Sequence, residues 1–136
     1  MNLFSQRFLQ LVLNVIKDKR DRFALRTLVQ VMWACSRIDF TNEKFELIPF
    51  FTEFAQYERL ISGLPTMYQK SQAILLWTYT RDERLVKDEV CQKFIHKILD
   101  AFILHESQKF EVDNFDLLLL VQSITNVRNF SGHAFV

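Results

Sequence analysis

Arg26-Thr27-Leu28-Val29-Gln30-Val31-Met32-Trp33-Ala34-Cys35-Ser36-Arg37 and Lys70-Ser71-Gln72-Ala73-Ile74-Leu75-Leu76-Trp77-Thr78-Tyr79-Thr80-Arg81 place the same chemistry in the same order, 44 residues apart. Each stretch opens on a cation and a hydroxyl residue, reaches a tryptophan, and closes on a hydroxyl residue and an arginine. Between them the apolar positions return at three- and four-residue steps, the spacing of one helix face. A fixed period of this size carried by a helical pattern marks stacked helical hairpins, each burying a face against the next. The chain therefore reads as all-α: a short α-solenoid of about three stacked antiparallel helical hairpins.

Composition supports this. The 136 residues make one domain of ordinary size, and 49% of them are hydrophobic, with 14 Phe but only two Gly and two Pro. That is ample core material with little turn punctuation, which favours helices over a many-turned β fold. Residues 1–136 are read as a single helical-repeat domain, and the apolar end at Ala134-Phe135-Val136 suggests a piece of a longer chain.

Six helical segments are expected, over about residues 3–17, 21–38, 42–61, 66–80, 85–105 and 113–127. Residues 1–17 hold Arg7 and Lys17 but no acid, as an import signal would; their apolar spacing at Phe4, Phe8, Leu11 and Val15 favours an ordinary first helix. Pro49 lacks the backbone donor, so a kink or split is expected near residues 45–49. Thr41 or Asn42 should cap the third helix, with Glu43 and Glu46 in its first turn, and Asp113 or Asn114 the sixth. The spacing predicts burial of Leu25, Leu28, Met32, Leu75, Leu76, Ile95, Leu99, Leu118 and Val121.

On a helix advancing about 100° per residue, Arg26, Trp33 and Arg37 fall within roughly 40° of one another, as do Lys70, Trp77 and Arg81. Stacking the units aligns them into a stripe of cations and indoles. Cations neutralise phosphates and an indole stacks on an unpaired base, so Arg26, Trp33, Arg37, Lys70, Trp77 and Arg81 are the candidate RNA-binding residues. The structural use of the same residues is to close a helix interface, with Arg and Lys stems shielding the indole edge. A register of 45 residues places Phe115, Gln122 and Asn126 in the third unit, where the stripe does not continue.

The two helix ends, Leu28 to Arg37 and Ala73 to Arg81, resemble the apolar-Leu-Trp-Ala-x-x-Lys end of organellar octotricopeptide and heptatricopeptide repeats, found in proteins that often carry a RAP domain. The resemblance spans about residues 22–127. It implies an α-solenoid that binds RNA in mitochondria or plastids, or one built into a mitochondrial ribosome.

Enzyme chemistry finds no motif. Gly63 and Gly132 are the only glycines, so there is no phosphate-cradling loop, and neither G-x-S-x-G nor H-E-x-x-H occurs. Cys35 and Cys91 lie in apolar helical patterns without ligand spacing and read as buried free thiols in a reducing compartment. His96, His105 and His133 are isolated, so no metal site, catalytic residue or cofactor is expected. Apolar runs such as Leu117 to Val121 fall far short of the ~18–20 residues that span a bilayer.

Charge is uneven: residues 1–40 carry seven Lys/Arg and three Asp/Glu, net +4, and residues 41–136 carry ten and thirteen, net −3. The basic end is the expected side for an anionic partner. Two binding functions are left. One is an RNA-binding module or part of an organellar ribonucleoprotein. The other is a structural accessory subunit of a large mitochondrial protein complex, held by protein contacts, which rests on an aromatic surplus of Phe40, Phe50, Phe51, Phe54, Tyr57, Phe130 and Phe135.

Overall fold

A computed structural model describes residues 6–38, 47–106 and 113–131. Among the described residues the chain is all helix, with no strand: α1 (Gln6–Asp18), α2 (Leu25–Ser36), α3 (Leu47–Phe54), α4 (Glu58–Gly63), α5 (Gln69–Thr80), α6 (Glu83–Lys87), α7 (Glu89–Glu106) and α8 (Asn114–Ser131), with 3-10 turns at Arg20–Arg22 and Leu64–Thr66. The expected caps at Thr41 and Asn42, and residues 132–136, lie outside the described residues, while residues 129–131, expected beyond the sixth helix, continue α8.

The expected segment 21–38 is a shorter helix preceded by extended Phe23 and Ala24, and 85–105 divides at Asp88 into α6 and α7. Each break has a local cause. Asp82 accepts from the Arg84 amide at 2.8 Å to start α6, and Asp88 Oδ2 accepts from the Cys91 amide at 3.0 Å to start α7. Asp113 accepts from the Asp116 amide at 2.8 Å and caps α8, as its sequence position predicts.

Pro49 sits in the first turn of α3, where its missing donor costs nothing. Residues 45 and 46 of the expected break lie outside the described residues, and a further break falls at residues 55–57. There Gln56 and Tyr57 donate to carbonyls only three residues back, and Tyr57 turns extended before α4.

The aromatic residues fill the core. Phe50, Phe51 and Phe54 are buried and pack on one another, while fully buried Tyr79 meets Phe51 and Phe94 edge-on at 5.6 and 4.8 Å. The Tyr79 hydroxyl donates to the Phe51 carbonyl at 2.7 Å, so this buried polar group is satisfied. The expected aromatic surplus is thus absorbed at Phe50, Phe51 and Phe54; Phe40 and Phe135 lie outside the described residues.

The charged run after α1 acts as a clasp. Lys17 and Arg20 pair with Glu53 at 3.4 and 2.9 Å, the Tyr57 hydroxyl donates to Asp21, and Arg59 donates to the carbonyls of Arg20 and Phe23 at 3.3 and 2.8 Å. These contacts fix the entry into α2 against α3 and α4. Helix α5 is the hub: α2, α7 and α8 all pack against it.

Candidate functional site at the tryptophan helices

Helices α2 and α5 are each 12 residues long and begin 44 residues apart. Their buried positions repeat with that spacing. Leu28, Val29, Met32, Cys35 and Ser36 correspond to Gln72, Ala73, Leu76, Tyr79 and Thr80, and all ten are buried. Helix α5 also buries Ser71, Leu75 and Thr78, because it is packed on further sides.

This shared register brings the tryptophans together. The Trp33 and Trp77 rings lie 6.4 Å apart at 50°, both half-buried. Arg37 lies over Trp33 and Arg81 over Trp77, each with its guanidinium carbon 5.1 Å from the ring centre. The cause is helical: residues four apart share a face. Arg81 Nη1 also donates to the Ser36 carbonyl at 2.8 Å, satisfying one of the acceptors that the end of α2 leaves open.

The other two candidates lie at the opposite ends of the helices. Arg26 and Arg37 are separated by about 16 Å along α2 at 1.5 Å per residue. Arg26 is exposed and makes no hydrogen bond or ion pair among the described residues. Lys70 lies 3.8 Å from Asp113 at the cap of α8. Of the six predicted residues, the structure gathers Trp33, Arg37, Trp77 and Arg81 into one cluster and leaves Arg26 and Lys70 as exposed cations apart from it. Each indole already has a guanidinium over its ring, so an incoming base meets Arg37 and Arg81 before it meets Trp33 or Trp77.

The third unit departs from the expected register of 45. Applied to the α5 positions just named, that register gives residues 117, 118, 121, 124 and 125, all of them exposed. A register of 47 gives Leu119, Leu120, Ser123, Asn126 and Val127, all buried or half-buried. Leu118 and Val121, expected inside, are therefore outside at 53% and 52% exposure. Leu25 and Leu99 are half-buried, and the other five expected core residues are buried. In the corrected register Ile124 stands where Trp33 and Trp77 stand, and Arg128 where Arg37 and Arg81 stand.

The thiols are unreactive by environment. Burial pushes the Cys35 thiol up to about 11, and burial with the Asp88 charge pushes Cys91 up to about 12. Both stay protonated at neutral pH. Among the described residues no helix is long and apolar enough to cross a membrane. Compared with protein-family models, curated proteins and solved structures, the chain matches none.

Proposed function

We propose that this chain is a non-catalytic helical-repeat module, a short α-solenoid, held in a larger assembly by a protein subunit seated on the outer face of α8. One observation carries this: Phe115, Leu117, Leu118, Val121 and Ile124 are each more than half exposed along that helix. An apolar helix face of this extent left open to water calls for a cover. Arg128 is the one exposed charge on α8, so the face suits an apolar protein surface and not a polyanion.

The test is to replace Leu118 and Val121 with Lys and follow the tagged chain by native size separation of cell extract. The reading expects the wild type in a large complex, and the variant released from it with an unchanged melting curve. Equal migration of the two rejects it.

A second reading has its own support. Arg26, Arg37, Lys70 and Arg81 are exposed on the α2 and α5 pair, as a phosphate-contacting stripe requires. RNA is the partner in this reading, and a ribonucleoprotein such as a mitochondrial ribosome would use both surfaces at once. The mitochondrial setting rests on the resemblance of the two helix ends.

A further inference from the structure

Between α2 and α5, the space at the helix ends is closed by Trp77, which packs on Trp33, and by Arg81, which reaches the Ser36 carbonyl. The corresponding place between α5 and α8 is open. Leu76, Thr80, Ile95, Ile124, Val127 and Arg128 are among the residues that line a cavity of about 340 Å³ there. In register, Ile124 replaces the tryptophan, and Thr80 and Arg128 replace the pair formed by Ser36 and Arg81. No hydrogen bond or ion pair ties Arg128 to any group among the described residues, and its side chain is exposed at the rim.

We infer that this cavity is a binding site for a planar aromatic carboxylate, whose ring takes the place of the missing indole and whose anion meets Arg128. The wall is apolar. Its two hydroxyls are already spent, Thr80 on the Leu76 carbonyl at 2.9 Å and Ser123 on the Leu119 carbonyl at 2.8 Å. The guanidinium is then the side-chain donor left to orient an anionic ligand. Arg also pairs with a carboxylate through two parallel donors and lies well on an aromatic face, as its two counterparts do here. The volume is roughly twice the ~150 Å³ apolar cavity that accepts benzene, which fits a two-ring aromatic acid. Ile124 belongs to both this cavity and the apolar face of the assembly reading, but the tests are separate, since Leu118 and Val121 do not line the cavity.

The experiment is a calorimetric titration of the whole chain with 2-naphthoate, with uncharged 2-naphthamide and straight-chain decanoate as comparators. Saturable binding of naphthoate is expected, at least about tenfold tighter than naphthamide, the worth of one charge-assisted hydrogen bond, and tighter than decanoate, which keeps the anion but has no ring to fill the place of the indole. Arg128→Gln, at an exposed position, should abolish the difference between naphthoate and naphthamide. Ile124→Trp should supply the missing ring and remove naphthoate binding while helical circular dichroism is retained. Absence of saturable binding, equal affinity for naphthoate and naphthamide, or decanoate binding as tightly as naphthoate overturns the proposal. So does undiminished binding by a folded Ile124→Trp or by Arg128→Gln.

Discussion

Arg81 joins two helices: its guanidinium lies over Trp77, and its Nη1 donates to the Ser36 carbonyl at 2.8 Å. Its counterpart Arg37 lies over Trp33 with the same 5.1 Å spacing. Removing Arg81 should therefore cost more than removing Arg37. Arg81→Ala is expected to lower unfolding free energy by about 1–2 kcal/mol, from a hydrogen bond with a charged donor and a cation–π contact. Arg37→Ala should cost about 0.5–1 kcal/mol. Urea unfolding of both variants checks the order, and equal costs would remove the structural role of the bond to Ser36.

The contact between Trp33 and Trp77 makes a pairwise prediction. Replacing each with Leu, singly and together, should give a coupling energy of about 0.5–1.5 kcal/mol, the worth of an aromatic pair beyond its buried area. Additive losses would mean that the two rings are merely neighbours.

Asp116 carries a pH dependence of definite sign. The residue is 3% exposed and one carboxylate oxygen, Oδ1, has no hydrogen-bond partner among the described residues. Burial, then the charge of Asp113, raises its pKa above the usual 3.8. The folded state thus holds this proton more tightly than the unfolded chain does. The contribution is fully present below the ordinary carboxylate value and is lost as pH rises through the raised one. Asp116→Asn should be more stable than wild type at pH 7, the gap shrinking as pH falls toward 4. Glu53 has the opposite slope: burial alone would raise it, but Arg20 and Lys17 together outweigh that and hold it below 4.5. Comparing wild type with Asp116→Asn cancels the Glu53 part. A pH-independent gap in urea or thermal unfolding would contradict the assignment.

For the RNA reading, Arg26 and Lys70 are the informative cations, because Arg81 has a structural bond to lose. Arg26→Gln with Lys70→Gln gives up only one surface ion pair, between Lys70 and Asp113, worth about 0–1 kcal/mol. Affinity for single-stranded RNA should fall regardless of base sequence, and the salt slope should drop by about 1.4 for the two charges. Wild-type protein that shows no salt-dependent retention of RNA leaves the assembly reading alone.

How far the sequence could be read differs from helix to helix. Helix α2 is legible because its apolar residues are spaced by three and four, and α5, whose Ala73 to Trp77 are five apolar residues in a row, is legible because it repeats the α2 pattern 44 residues on. Helix α8 was legible as a helix but not in its facing. Leu117 to Val121 are five apolar residues in a row and surround the helix, so hydrophobicity selects no side. What lies inside includes Asp116 and Ser123, which periodicity assigns to solvent. The breaks at residues 55–57 and at Asp88 carry neither Gly nor Pro, so no residue type announces them. The cluster of Trp33, Arg37, Trp77 and Arg81 was legible from repetition. Arg128 was missed because the third unit is two residues out of step.

The position of α5, with α2, α7 and α8 packed around it, sets an order of opening. Helices near either end of the chain can detach while α5 keeps a neighbour, whereas α5 loses its burial only when the whole fold comes apart. Its central amides, around Leu75 and Leu76, should be the last to exchange with deuterated solvent, at a rate governed by global unfolding, while those of α1 exchange through local opening.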